Sequence, residues 1–460
     1  MRFLQGWAIG HIGSGLYNFT VPKASQVGVL LMTEKSTVKG KRLPFGIIAG
    51  LRLFVIAVVV CGFCALPSWC SEAPRKPKVR AITAFIRIER THYLEQVQQA
   101  LAMLRQAKAM FEKTGYDVQT IRITTQPFPQ YIRGLSKKEA LAFFKTLEDL
   151  SKKESFILNI GPAMLSDEDD RSQVELLGEI LAASDVYSSV IVAGDDGIHW
   201  RSISAAAKLI KYLEEHSPQG ARNFNFAATA GLRPYAPFYP GSYHNNAGHE
   251  FSVGLEGANF VADVFAEAHG DFNQAKERLS QALSEHARAL EGIAGNVEKN
   301  SGWKYMGLDA TPAPNADSSI GTAIEKLIGA KFGSSGTLTA AAAITEAVHS
   351  LGVKRAGYNG LMLPVLEDPV LAQRWSEGTY SIDSLLAYSA VCGTGLDTVV
   401  LPGEVSQQQL ERIIGDVASL AFKWHKPLTA RLIPVPGEKA GDRTDFPPDR
   451  LLNTTLKPLP

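Results

Sequence analysis

The chain has 460 residues, 45% apolar and 20% charged, with a formal net charge of +1. That length allows one large α/β domain or two to three ordinary ones, with ample material for a core. The balanced charge excludes the basic surface that nucleic acid or a polybasic membrane patch requires, so no nucleic-acid partner is expected.

Residues 53–66 (LFVIAVVVCGFCAL) are almost wholly apolar. At about 14 residues the stretch is short of the ~20 that a spanning helix needs. It has the length of a secretory signal core. Lys35, Lys39, Lys41, Arg42 and Arg52 form a positive flank before it, and Ser71-Glu72-Ala73 offers a small-x-small cleavage point. Residues 1–73 therefore read as an extension plus signal segment, and the protein as exported, periplasmic or secreted. The alternative is a membrane anchor over 46–66, against which Arg52 stands in its middle.

From residue 79 onward strand and helix patterns alternate. Residues 79–88 (VRAITAFIRI) are β-branched and apolar. Leu94, Val97, Leu101, Leu104 and Phe111 then recur at helical spacing, which predicts a helix over 92–113. Residues 117–124 read as a strand. Ser136 with Glu139 forms a capping box for a helix to about Leu150. Strands are expected at 156–161, 188–193, 223–228, 361–365, 398–401 and 428–433. Helices are expected at 171–183, 202–216, 260–266, 271–297, 318–328, 337–350, 382–391 and 407–422. Continuous apolar strands between helices imply a parallel-rich sheet covered on both faces. With this many βα units a closed α/β barrel over 74–433 is expected, as one domain. Residues 434–460 read as a Pro-rich C-terminal tail.

Several segments carry chemistry. In PFYPGSYHNNAGHE, His244, His249 and Glu250 have donor types suited to a transition metal, though a loop does not enforce their convergence. His244 also qualifies as an acid/base or as a structural histidine. Asp309, in GLDATPAPNADSS, is expected at a strand end, where α/β proteins place functional groups. Gly333, Ser334, Ser335, Gly336 and Thr337 open an Ala-rich helix and present free N–H groups to a carboxylate or phosphate. The segment lacks the lysine of a P-loop, so nucleotide binding is not indicated.

Residues 353–360 (VKRAGYNG) come within one residue of a glycyl radical loop. They lie about a hundred residues before the C-terminus and precede the cysteine, so no glycyl radical is expected; the cofactor is otherwise unknown. Cys392, in AVCGTGLD, is the one thiol outside the N-terminal stretch. It is either a packed small hydrophobe or a reactive group, and Gly393 and Gly395 beside it suggest little side-chain cover and slow native alkylation.

The pieces GLDATPAPNADSS, FGSSGTLTAAAAI, GYNGLMLPVLED, AVCGTGLDTVVLP and KPLTARLIP, in this order, resemble the family known as domain of unknown function 711, also called PFL-like. PFYPGSYH and IRIT, with Arg122, fit as well. The resemblance covers roughly 79–456 and implies a PFL-like α/β barrel, a parallel-rich sheet wrapped by helices. It implies no established reaction. Cys392, His244, Asp309, Pro312, Gly336, Asp397 and Arg431 match the family pattern. Tyr187 and Ser335 depart from it, standing where commoner members carry cysteine and histidine.

These readings lead to an enzyme acting on a small anionic metabolite, with Cys392, His244, Asp309 and Asp397 as catalytic candidates. Gly333, Ser334, Ser335, Gly336, Thr337 and Arg431 are the substrate-binding candidates. The alternative is an exported small-molecule binding protein without catalysis, and a structural or interaction role ranks third. A homo-oligomer is compatible with either.

Overall fold

The computed structural model describes residues 74–245, 248–447 and 450–459. The targeting reading of residues 1–73 lies outside them. Among the described residues no helix is long and apolar enough to cross a membrane.

Among the described residues, ten strands form two five-stranded sheets. The first is built from β1 (Lys78–Ile86), β2 (Val118–Thr125), β3 (Ile157–Asn159), β7 (Glu250–Glu256) and β8 (Lys304–Ala313), in the order β3-β2-β1-β7-β8. The second is built from β4 (Ser188–Gly194), β5 (Gly197–Ile198), β6 (Phe226–Ala230), β9 (Gly395–Pro402) and β10 (Leu428–Val435), in the order β5-β4-β6-β10-β9. The two repeat one plan. Parallel strands meet an antiparallel junction, β1 with β7 in one and β6 with β10 in the other, followed by another parallel pair, and the second sheet adds the two-residue β5 antiparallel to the edge of β4.

Backbone hydrogen bonds join the edges of the sheets. Tyr187, just before β4, donates to Leu158 O at 2.9 Å and accepts from Ile160 N at 2.9 Å. On the other side, residues 354–365 fill the gap between β8 and β9. Leu308 N donates to Lys354 O at 2.8 Å, and Val365 N donates to Asp397 O at 3.0 Å. Closure leaves few unpaired strand edges and produces the expected α/β barrel.

The helices form because their apolar residues recur every three to four positions. α1 (Tyr93–Lys113) buries Val97, Leu101, Leu104 and Phe111 against the sheet. The Ser136–Glu139 capping box starts α2 (Lys137–Glu154) as the sequence indicates. α3 (Ser172–Ala183), α4 (Trp200–Glu215), α5 (Ala258–Ala266), α6 (Phe272–Ser301), α7 (Ile320–Ile328) and α8 (Thr337–His349) follow. Then come α9 (Pro369–Glu377), α10 (Ile382–Ser389) and α11 (Gln407–Trp424). α9, β5 and β7 have no counterpart in the sequence reading, and the strand expected at 361–365 is reduced to a single bridge between Pro364 and Asp397. β7 opens on a glutamate and follows a His/Asn-rich loop, which hides a strand that is buried along its whole length.

Two loops pack inside the barrel. Residues 232–245 are anchored by Thr83 Oγ1 donating to Pro237 O at 2.9 Å, and by Asn159 Nδ2 donating to Pro240 O at 2.6 Å. Residues 357–361 are held by Asp309, which lies within β8. Leu232, Ala236, Phe238, Ala313, Tyr358 and Met362 make a small buried cluster separate from the main core. The Pro-rich C-terminal segment is packed too, with Phe446, Leu451 and Leu456 buried.

Candidate functional site

A cavity of about 310 Å³ opens at one mouth of the barrel. Its polar lining comes from four strands and one loop: Arg80, Arg122, Glu367, Asp397 and Arg431, with Tyr187 and Tyr239 beside them.

Backbone irregularity aims several of these side chains. In the β1–β7 pairing Val79 faces Leu255 and Ala81 faces Gly254, so Arg80 is the extra residue of a bulge. In the β9–β10 pairing Ala430 faces Leu396 and Leu432 faces Val399. Arg431 alone therefore stands opposite both Asp397 and Thr398, and Thr398 takes φ 45°. Bulges re-aim side chains in this way. Here the result is a close ion pair, Arg431 Nε to Asp397 Oδ1 at 2.7 Å, with Arg431 Nη2 on Glu367 Oε1. Burial pulls the Arg431 guanidinium down, but Asp397 and Glu367 more than offset it and the net shift is upward. Burial raises the Glu367 carboxyl; Arg431 opposes that shift and the Asp397 charge adds to it.

Arg122 differs from its neighbours. β2 reads Thr120-Ile121-Arg122-Ile123-Thr124, so by strand alternation the isoleucines share one face and the polar residues the other. Arg122 is 7% exposed. Its Nε donates to Thr120 Oγ1 at 3.0 Å, and the Thr120 hydroxyl donates to Arg80 O at 2.6 Å. The guanidinium lies over the Tyr239 ring at 5.0 Å. Among the described residues no carboxylate pairs with it. Burial and the nearby Arg80 charge pull it down to about 10. Arg80 has partners of its own, Glu256 at 3.6 Å and Glu367 at 4.0 Å.

The sequence-derived candidates divide. Asp397 and Arg431 line this cavity. Asp309 sits behind it, six residues into β8, not at the strand end. Its carboxylate accepts from Tyr358 N at 2.6 Å, Asn359 N at 3.0 Å, and Thr311 N and Oγ1 at 3.1 and 2.5 Å. Burial raises its pKa while these bonds oppose the shift. Asp309 thus shapes the loop that presents Tyr358 to the cavity.

Cys392 is fully buried, with its pKa raised first by desolvation. The neighbouring glycines do not expose it. Gly360 and Gly393 pack so closely that a Cβ on Gly360 would stand 2.4 Å from the Gly393 Cα. The thiol belongs to the main buried core and does not line the cavity. His244 is buried, its Nε2 is 2.7 Å from Ile86 O, and its ring meets Phe85 edge-on.

His249 instead stacks on Trp303 at a ring separation of 4.9 Å, and Glu250 starts β7. The metal reading of His244, His249 and Glu250 is therefore corrected: among the described residues no group of three His, Cys, Asp or Glu side chains is placed to hold an ion. Gly333 and Gly336 take positive φ at the start of α8, and Thr337 Oγ1 closes the turn by accepting from Gly333 N at 3.1 Å and donating to Ser334 O at 2.8 Å. Ser334 and Ser335 are exposed, and none of these five residues lines the cavity.

Arg80, Glu367, Tyr187 and Tyr239 were not among the candidates, and Arg122 was noted only as part of a matching segment. One signal was present for Arg122: polar residues alternating with isoleucine in a strand expected to be buried on both faces.

The sequence profile of the family described as Uncharacterised ACR (DUF711) matches residues 73–449. The chain belongs to that family. A UPF0210 protein of Pyrobaculum aerophilum is 29% identical over 76% of this chain and 81% of its own. One from Pyrobaculum arsenaticum is 32% identical over 59% of this chain and 62% of its own, and one from Acetivibrio thermocellus 28% over 60% and 64%. The chain thus spans under two thirds of the length of the latter two. Among solved structures, the anaerobic ribonucleotide reductase of Thermotoga maritima superposes with a TM-score of 0.38 at 8% identity, over 78% of this chain and 75% of that one. A superposition at that level carries no argument about activity. For this DUF711 member the chemistry has to be read from the cavity itself.

Proposed function

We propose that this protein is an enzyme acting on a small anionic metabolite in the barrel cavity, without a glycyl radical. Arg122 carries the reading. A buried guanidinium without a carboxylate is a standing cost to the fold, and an anion arriving in the cavity removes it. With Nε tied to Thr120 and one face on Tyr239, the Nη edge is left for a bidentate contact with a carboxylate. Glu367, raised by burial with Arg431 opposing the shift, is the acid/base candidate of the lining. Tyr187, packed on Tyr239, and Tyr358 complete the aromatic part of the lining.

Thermal denaturation with a series of short carboxylates tests the reading. They are expected to raise the melting temperature of the wild type and leave Arg122→Met unmoved. Equal shifts in both proteins would remove Arg122 as the anchor. The unfavoured alternative, capture without catalysis, is separated by recovering bound carboxylate from D₂O. An enzyme whose base removes and returns a proton at carbon yields it with deuterium there, and a binding protein returns it unlabelled.

A further inference from the structure

We propose that the cavity takes a small zwitterion of the amino-acid class, its carboxylate on Arg122 and its ammonium on Asp397. The inference rests on the reading of the cavity as an anion site and adds a second pole to it.

Charge is distributed unevenly around the lining. Three guanidiniums, Arg80, Arg122 and Arg431, and two carboxylates, Glu367 and Asp397, line the cavity, and a third carboxylate, Glu256, pairs with Arg80 from outside the lining, so the set is neutral in sum when all are ionised. Arg431 is shared by Asp397 and Glu367. Arg80 is shared by Glu256 and Glu367. Arg122 is shared by none. One positive charge is therefore uncompensated at Arg122, and the negative excess lies at the Asp397–Glu367 end. A bare monoanion would neutralise the first pole and leave the second. A dianion would overfill the first. A zwitterion satisfies both.

Hydrogen-bonding capacity points the same way. Arg122 and Asp397 are each 7% exposed and both line the cavity. Arg122 spends only Nε on a protein acceptor, which leaves its Nη donors for the ligand. Asp397 accepts only on Oδ1, from Arg431 at 2.7 Å, which leaves Oδ2 to accept from the ligand. Buried polar groups are ordinarily satisfied, so an unused donor edge and an unused acceptor oxygen facing one space describe a ligand with both an anionic acceptor and a cationic donor. The volume of about 310 Å³ is at the small end for ligand sites, which limits the occupant to a compact molecule. Phe238 and Met362 supply an apolar wall for a short side chain.

The test compares probes matched in size on the full wild-type protein by calorimetry and thermal shift at neutral pH. The probes are aliphatic amino acids of two to six carbons, the 2-hydroxy acids and unsubstituted acids of the same lengths, N-acetylated amino acids, and inorganic phosphate. At least one amino acid is expected to bind ten-fold or more tightly than its hydroxy, unsubstituted and acetylated counterparts. Asp397→Asn is expected to reduce that amino acid to the level of the unsubstituted acid while leaving the acid itself unchanged. If this variant does not fold, the acetylated probe in wild type decides the same point, because acetylation keeps the carboxylate and removes the ammonium. Hydroxy or unsubstituted acids binding as tightly as amino acids would overturn the ammonium pole and leave the anion site standing. Phosphate outcompeting all of them would overturn the zwitterion as well. Failure of every carboxylate would overturn both readings.

Discussion

Arg122 is costly to the fold and useful only to a ligand, and that asymmetry can be measured. Arg122→Met keeps an unbranched apolar stem in the strand and removes a desolvated charge together with its contact over Tyr239. Its melting temperature is expected to equal or exceed that of the wild type while carboxylate binding is lost, the stability–function trade-off of a strained site. The pH dependence has a definite sign. Folded Arg122 binds its proton less tightly than the unfolded chain does, about 10 against an ordinary 12.5. Its cost to stability is therefore full below pH 10 and is relieved as pH rises from there toward the ordinary value. Carboxylate affinity is expected to be flat below that point and to fall above it, as calorimetry across pH 8–11 would register. Cys392 behaves in the opposite way. Fully buried in the core, with its pKa raised by desolvation, it should resist iodoacetamide until the protein unfolds. Replacement by serine should cost about 1–3 kcal/mol, the penalty for a poorly satisfied buried hydroxyl. Rapid native alkylation would show the thiol to be accessible after all.

At the scale of elements, the site depends on irregularities that periodicity does not encode. Alternation of apolar and helical patterns made the barrel legible, because each βα unit must cover its own strand. Asp397 and Arg431 were legible through the family pattern that they match. Their pairing was not, since it comes from a bulge at Asp397–Thr398, opposite Arg431, that shifts register by one residue. Arg80 is likewise brought in by a bulge, and Glu367 by residues 354–365, which close the barrel through a few isolated hydrogen bonds instead of a strand. Asp309 was legible as functional-looking but reads differently in place. Its four accepted bonds set the turn at Gly357, whose Cβ, were there one, would stand 2.2 Å from Asp309 Oδ2. Asp309→Ala should therefore strand the Tyr358 and Asn359 N–H groups and cost about 3 kcal/mol, comparable to losing hydrogen bonds to a charged acceptor. Tyr358 would leave its position at the cavity. Calorimetric unfolding together with carboxylate binding checks this: a stable variant with wild-type affinity would mean the loop holds its shape without the carboxylate.

At the scale of the whole molecule, the C-terminal segment forms part of the approach to the cavity. Outside the 310 Å³ space lies a wider vestibule of about 470 Å³ that shares Arg80, Tyr187 and Glu367 with it and is walled by Arg450, Leu451 and Leu452. Leu452 N donates to Leu366 O at 2.8 Å, one residue from Glu367. Arg450 Nη1 donates to Asp185 Oδ1 at 2.6 Å, and Thr454 Oγ1 to Ala372 O at 2.8 Å. Burial alone would raise the Asp185 carboxyl, but Arg450, Asn225 and Arg222 hold it below its ordinary value. That contribution to stability is present above the ordinary carboxylate range and is lost as pH falls through the depressed value. Arg450→Ala removes one wall contact while Arg222 still partners Asp185 at 2.8 Å, so the fold should survive with a loss of about 1 kcal/mol. If the segment retains ligand, dissociation of a bound carboxylate should quicken several-fold in this variant, with the association rate rising alongside it and affinity changing less than either. Deleting residues 443–460 would unpack Phe446, Leu451 and Leu456 and cost several kcal/mol at roughly 1.5–3 per apolar side chain, so the point substitution is the sharper instrument. Unchanged rates in Arg450→Ala would make the segment a structural clamp that ligand passes without hindrance.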